Sequence, residues 1–375
     1  AEAVTAGERT RETLRKSAME LLEADQDPIV QAMKEMVETE QLIMDGDVIY
    51  LPPFYYAEIG TANNLKGLMN CMGKKAAPIQ PNMEAITLQT GIEYDEVQVA
   101  AIRQAVNSKV MVLTGGPGTG KTTTTQGIIA ALKTMGYSIL LAAPTGRAAK
   151  RMSEATGMEA KTIHRLLEYN PADGYKRNDE NPLEGDVLIV DECSMIDILL
   201  MNNLVKALPE TMHLILVGDI DQLPSVGAGN VLRDIIDSER VPVVRLTRIF
   251  RQAQTSRIVM SAHAINEGKF PDISNGKDTD FFFIKNDDAD AVATAIVDLV
   301  KNRLPKGYHM PLSKIQVLTP MQRGVVGSAN LNLILQEALN PTKEGLSRGG
   351  YNFRKGDRVM QIRNNYDKEV FNGDL

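Results

Sequence analysis

The sequence predicts an α/β protein built on a parallel sheet with helices on both faces, and three observations carry that prediction. From Leu88 onward, short apolar strands alternate with amphipathic helices. A glycine-rich loop, Gly115 to Gly120, joins the first strong strand to the helix that follows it. Two later apolar strands, near 186–190 and 212–217, end in acidic residues. Regular alternation implies strand, helix, strand units whose crossovers cover both faces of a parallel sheet.

At 375 residues the chain is long enough for two or three domains. Hydrophobic content of 43% and charged content of 24% are those of an ordinary globular protein. No apolar run suggests a membrane span, and the start does not read as a signal peptide. Two cysteines, Cys71 and Cys193, argue against a disulfide framework and for a reducing, cytoplasmic setting. The net charge of −7 is uneven: residues 1–60 hold 13 acidic and 5 basic side chains, a balance of −8, which leaves +1 for the rest. A near-neutral body can still present a basic groove, so charge alone neither demands nor excludes a polyanionic partner. The chain starts at Ala1 and stops at Phe371-Asn372-Gly373-Asp374-Leu375, which suggests a piece of a longer protein.

Taken in order, residues 9–24 and 28–40 read as amphipathic helices, and residues 42–51 as a hairpin turning at Asp45-Gly46. Two helices and a hairpin suggest a winged-helix-like module within residues 1–87. Its second helix sets Lys34 against Asp27, Glu35, Glu38 and Glu40, which favours packing over a duplex-reading role. Residues 56–79 read as helix and then turn, with Pro78 and Pro81 near a boundary. The α/β pattern of residues 88–242 places strands at 109–113, 138–143, 186–190 and 212–217, each followed by a helix. A further α/β unit, residues 243–375, is expected to carry strands at 281–285 and 314–319 around a helix near 288–304, and to be incomplete at its C-terminal end. Within residues 88–242, between the His164 segment and the strand at 186–190, 168–184 reads equally as a surface loop or as a small hairpin insertion, with Pro171 and Asp173-Gly174 as turn signals and tyrosines at 169 and 175.

The chemistry centres on the loop. Gly115 to Thr122 fits G-x-x-x-x-G-K-[ST] between a strand and a helix, the setting the motif requires. Gly116, Pro117, Gly118, Thr119, Gly120, Lys121, Thr122 and Thr123 would curl so that backbone N–H groups and a helix N-terminus face an anion. Lys121 would reach the β- and γ-phosphates of a nucleotide such as ATP, and the Thr122 hydroxyl would hold Mg²⁺. Asp191 and Glu192 end a buried strand at the edge where open α/β sheets bind ligands, Asp191 suited to the metal and Glu192 to polarising a water. Gln222, after the strand at 212–217, is a candidate sensor of the γ-phosphate or simply a loop glutamine. Arg147, Lys150 and Arg151 share a helix face, which is either a solvated surface or a grip on an anion. His164 has the same two readings, structural or functional.

The order of these segments resembles that of the RecD-like helicases of superfamily 1. The resemblance rests on Thr114 to Thr123, Pro144 to Ala149, Thr162 to Leu166, Asp191 to Met195, Gly218 to Pro224, Arg245 to Gln252, Val317 to Gly324 and Gly356 to Gln361. It implies tandem RecA-like motor domains behind the N-terminal module, and an ATP-dependent helicase working 5′→3′ on single-stranded DNA and at junctions of single and double strand, in repair or recombination. It implies that Gln98 reads adenine and that Arg251, from the second domain, reaches the γ-phosphate as an arginine finger. It places Thr145, Arg147, Lys150 and His164 on the DNA track, and makes Tyr169 to Asn181 a pin against which the duplex splits. Two departures stand out: Cys193 replaces a common alanine, and the most C-terminal motifs of the family are absent. Two alternatives remain open, an ATPase acting on a partner other than DNA and a nucleic-acid-binding subunit that uses ATP only as a switch.

Overall fold

The structure, a computed structural model, describes residues 8–71, 78–276, 279–342, 344–362, 368 and 370, with the backbone alone at 8, 9, 251 and 252. The first element, β1 (Glu8–Thr10), runs straight into α1 (Arg11–Leu22), whose N-cap Thr10 accepts a hydrogen bond from the Thr13 N–H. Then come α2 (Gln26–Glu38), β2 (Ile43–Asp45) and β3 (Val48–Tyr50). Gly46, at φ +60°, makes the turn expected of Asp-Gly. The three strands form an antiparallel sheet in the order β1-β3-β2. Leu14, Leu42 and Ile49 form its own small core against Met33, Met36 and Val37.

The next helices, α3 (Pro52–Asn70), α4 (Met83–Thr90) and α5 (Glu96–Asn107), pack on the large sheet. Ala57, Leu65 and Leu68 of α3 lie in one face of the large core and Ile86 of α4 in the other. The sheet and its crossovers are β4 (Val110–Gly115), α6 (Lys121–Thr134), β5 (Ile139–Ala143), α7 (Gly146–Thr156), β6 (Ala160–Thr162), α8 (Ile163–Leu166), β7 (Tyr169–Asn170), β8 (Gly174–Tyr175), β9 (Val187–Val190), α9 (Ile198–Lys206), β10 (His213–Gly218), α10 (Val231–Asp237) and β11 (Val243–Leu246). Six strands run in the order β11-β4-β10-β9-β5-β6, every pairing parallel. β7 and β8 stand apart as the antiparallel hairpin.

The strands are apolar on both faces because both faces are covered. Val110, Val112, Leu188, Val190, Leu214 and Leu216 point to the layer of α3, α9 and α10, while Met111, Leu113, Val187, Ile189, Ile215 and Val217 point to the layer of α4, α5 and α6. Truncating a fully buried position such as Ile189 to alanine would cost about 2–5 kcal/mol.

Val243–Leu246, read from the sequence as the head of the second α/β unit, instead pairs with Val112 to Gly115 as the outer strand of this sheet. After α11 (Arg251–Gln254) and α12 (Arg257–Asn266), the chain divides into two compact units between Asp272 and Ile273, later than the expected 243. The second unit contains α13 (Ala289–Asp298), a π turn over Leu299–Arg303, α14 (Leu304–Tyr308), α15 (Ser328–Leu339) and an antiparallel hairpin of β12 (Gly345–Arg348) and β13 (Tyr351–Arg354). The expected strands at 281–285 and 314–319 form no ladder among the described residues. A strand is stable only when a neighbour takes its N–H and C=O groups. At Phe283 both groups go to one side chain, Asn275, at 2.9 Å each. Among the described residues no helix is long and apolar enough to cross a membrane.

Candidate functional site

Because the six strands are parallel, everything that follows their carboxyl ends meets at one edge. β4 ends at Gly115, and the loop reaches α6 through Gly118 (φ +72°) and Gly120 (φ +85°), left-handed conformations that suit glycine. At Gly120 there is no room either: a Cβ there would lie 2.6 Å from Phe250 Cε2 and 2.8 Å from Gln98 Nε2. Within the loop, the Thr119 hydroxyl donates to the Gly116 carbonyl at 2.8 Å. The Lys121 ammonium donates to the carbonyls of Gly115 and Gly116, at 2.5 and 3.1 Å. Thr122 is exposed at the N-terminus of α6, and Thr123 is half-buried beside it.

β9 and β10 bring three carboxylates to this edge. Asp219, directly after β10, is 2% exposed, and its Oδ2 stands 4.0 Å from Lys121 Nζ. Its Oδ1 accepts from the Asp221 N–H. Asp191 and Glu192 follow β9 and are half-buried; Asp191 Oδ1 accepts from the Glu192 N–H at 2.9 Å. Burial pushes the Asp191 carboxyl above its ordinary range, against the pull of that N–H and of Lys121. Burial also raises Glu192, and the neighbouring Asp191 charge adds to it, while Lys121 and Arg151 oppose. Glu192 sits at φ +54°, a left-handed conformation that non-glycine residues adopt at a cost. Cys193 is fully buried and donates its thiol to the Val190 carbonyl, so it is a packing residue, with burial raising its thiol well above the usual range.

Gln98 completes this region from α5. Asp95 Oδ1 accepts from the Gln98 N–H at 2.9 Å, while Gln98 Oε1 accepts from the Asp95 N–H at 3.1 Å, a capping box that fixes the amide. Its Nε2 is buried beside Gly120 with no hydrogen-bond partner among the described residues. A buried donor left unpaired costs about 1–3 kcal/mol. Such a donor fits a ligand acceptor placed next to the loop. Loop, ammonium, hydroxyl and carboxylates together suit a nucleoside triphosphate with a hard divalent cation held by few protein oxygens.

The sequence places Asp219 at the end of an apolar strand, as it does Asp191-Glu192, but assigns it no role; the structure sets it beside Lys121. Gln222 lies three residues further on, exposed in the turn, where its N–H donates to the Asp219 carbonyl. Arg251 opens α11 inside the first unit, not the second, directly after Phe250, whose N–H donates to the Gly118 carbonyl at 3.2 Å. The Arg251 side chain lies outside the described residues.

The ends of β5 and β6 form the other half of the edge. Thr145 is the N-cap of α7, accepting from the Ala148 N–H at 3.2 Å. Arg147, Lys150 and Arg151 are exposed on that helix. His164 lies in α8, half-buried, and burial holds its imidazole below the usual range against the charge of Asp197. Its ring meets Tyr169 and Tyr175 with centroids 5.5 and 5.9 Å apart, and those two face each other across the β7–β8 pairing at 4.7 Å. Segment 168–184 therefore contains a short hairpin based on an aromatic cluster, further braced where Arg177 Nε donates to Glu168 at 2.8 Å.

Residues 98–228 match the family model of the AAA domain, and residues 331–375 match that of the ATP-dependent RecD-like DNA helicase SH3 domain. The second match falls inside the stretch that the sequence reading assigned wholly to a second motor domain. Over 280 residues the chain is 38% identical to the ATP-dependent RecD2 DNA helicase of Deinococcus radiodurans, covering 75% of this chain and 37% of that protein. It is 36% identical over 217 residues to the RecBCD enzyme subunit RecD of Mycolicibacterium smegmatis, covering 51% of this chain and 38% of that one. A solved Pif1 helicase from Candida albicans overlaps 55% of each chain at 21% identity, with a TM-score of 0.38. The chain thus spans little more than a third of the length of these two curated relatives.

Proposed function

The chain belongs to the RecD-like helicases, and from that premise we propose that it is the ATP-driven motor part of a DNA helicase or translocase acting in repair or recombination. Adenine is read by Gln98, and the β- and γ-phosphates lie in the loop from Gly116 to Thr123. Lys121 leaves the carbonyls of Gly115 and Gly116 for the phosphates, an exchange that its flexible stem allows. Thr122 and Asp191 would hold Mg²⁺, which would supply positive charge beside the phosphates. Glu192, its carboxyl raised by burial, takes the proton of the attacking water, a task suited to a base tuned upward. Gln222 orients that water, and Arg251, which follows Phe250 beside the loop, stabilises the γ-phosphate charge.

Single-stranded DNA runs along the Thr145, Arg147, Lys150 and His164 side of the edge, and the β7–β8 hairpin meets the junction with duplex. Arg151 links the two halves electrostatically, since its charge acts on Glu192. The reading places the protein in the cytoplasm. One observation carries it: Lys121, Asp219, Asp191 and Glu192 converge at the ends of three adjacent parallel strands. Unwinding of short duplexes with a 5′ or a 3′ single-stranded tail, in the full-length protein with ATP and Mg²⁺, tests it. Only the 5′-tailed duplex should open; opening of the 3′-tailed substrate alone would reverse the assigned direction, and opening of neither would remove the helicase reading.

A further inference from the structure

The phosphate loop is gripped from outside by the segment that follows β11. A Cβ on Gly116 would lie 2.7 Å from His263 Cε1, and one on Gly118 would lie 2.5 Å from the Ala253 methyl. His263, on α12, places Nε2 3.1 Å from the Pro117 carbonyl across 146 residues of sequence. A carbonyl only accepts, so Nε2 carries the proton and donates. Three consecutive loop carbonyls are thereby taken: Gly116 by Thr119 and Lys121, Pro117 by His263, and Gly118 by the Phe250 N–H.

A trans peptide unit is planar, with C=O and N–H pointing in opposite directions. Drawing the Pro117 carbonyl toward His263 therefore turns the Gly118 N–H the other way, away from His263. Glycine at 118 gives that unit little resistance to flipping, and a flip would aim a carbonyl at the anion. We propose that His263 is a positioning residue for the phosphate loop, holding the Pro117–Gly118 peptide so that the Gly118 N–H faces the nucleotide phosphates. This rests on the nucleotide reading of the loop given above. The role is one of geometry: His263 lies outside the loop and holds the backbone, not the ligand.

The test compares His263→Leu, which keeps bulk and loses the donor, with His263→Gln, which can place an amide N–H near the position of Nε2. Both are measured for DNA-stimulated ATP turnover in the full-length protein, beside Lys121→Ala. An interaction made equally in ground and transition states shows in KM rather than kcat. His263→Leu should raise KM for ATP about fivefold with kcat within about twofold of wild type, the scale of one lost hydrogen bond, whereas His263→Gln should stay near wild type in both. If the leucine variant does not fold, His263→Ala takes its place. Equal KM values in the donor-less and glutamine variants, or a loss confined to kcat, would overturn the proposal. If Lys121→Ala turns over ATP like wild type, the nucleotide reading itself falls, and with it this inference; if Lys121 is essential and the His263 variants behave alike, only the inference falls.

Discussion

Along the carboxyl edge of the sheet, the ends of β4, β9 and β10 hold charged groups that are buried or half-buried, whereas the end of β5 leads into cations that are exposed. Asp219 is 2% exposed beside Lys121, and burial raises Asp191 and Glu192. Arg147 and Lys150, which follow β5 next to β9, stand in solvent. The contrast follows from the size of the ligand each part would take. A nucleotide phosphate must be desolvated before its charge can be stabilised by fixed dipoles, so its partners lie inward. A polyanionic strand is held through many weak, salt-dependent contacts made at the surface.

If the two halves are as separable as this contrast implies, each can be damaged alone. The largest effect is expected from the hairpin. Replacing Tyr169 to Asn181 with a two-residue turn should abolish unwinding of a tailed duplex and leave DNA-stimulated ATP turnover nearly intact, because the hairpin stands on His164 and not on the phosphate loop. Unwinding at the parental rate would return the segment to a plain loop. A smaller effect belongs to the exposed face: Arg147→Ala combined with Lys150→Ala should weaken single-stranded DNA of every sequence alike. The slope of log affinity against log salt should flatten by about 1.4, the value for two lost contacts to single strands. An unchanged slope would make these cations a solvated surface.

The smallest effect sharpens the buried half. Glu192 has a folded-state pKa raised by burial, so its ionisation opposes folding fully above that raised value and not at all below the ordinary carboxylate value. Glu192→Gln should therefore raise the melting temperature at neutral pH, by about 1–2 °C once solvent screening of a half-buried group is allowed for. That gain should shrink as the pH falls through the carboxylate range. A gain that persists unchanged at low pH would place its cause in packing instead.

What the sequence discloses about this edge depends on how many physical explanations each residue has. A glycine loop between an apolar strand and a helix, or Asp191-Glu192 after Val187 to Val190, has few alternatives, and the structure sets them side by side. Exposed arginines have several, and their spacing on α7 decides little. Gln222 drew notice for its chemistry, yet the buried partner of Lys121 is Asp219, identifiable by the same strand-end rule. Other features depend on contacts distant along the chain. β11 is only four residues, and nothing local shows that it pairs with Val112 to Gly115. His263 lies on a helix of ordinary amphipathic pattern, and its role depends on Pro117. At 281–283 three successive phenylalanines have strand propensity, but without ladder neighbours the propensity yields an extended segment.

The central claim is that the converging strand ends form an ATP-hydrolysing site driven by DNA. The most direct test is the rate of ATP hydrolysis by the full-length protein, with and without single-stranded DNA, for wild type and for Lys121→Ala. Turnover should rise severalfold with DNA in the wild type and be lost under both conditions in the variant, while the variant remains folded. Turnover in Lys121→Ala equal to wild type, or a wild-type rate indifferent to DNA, would contradict it.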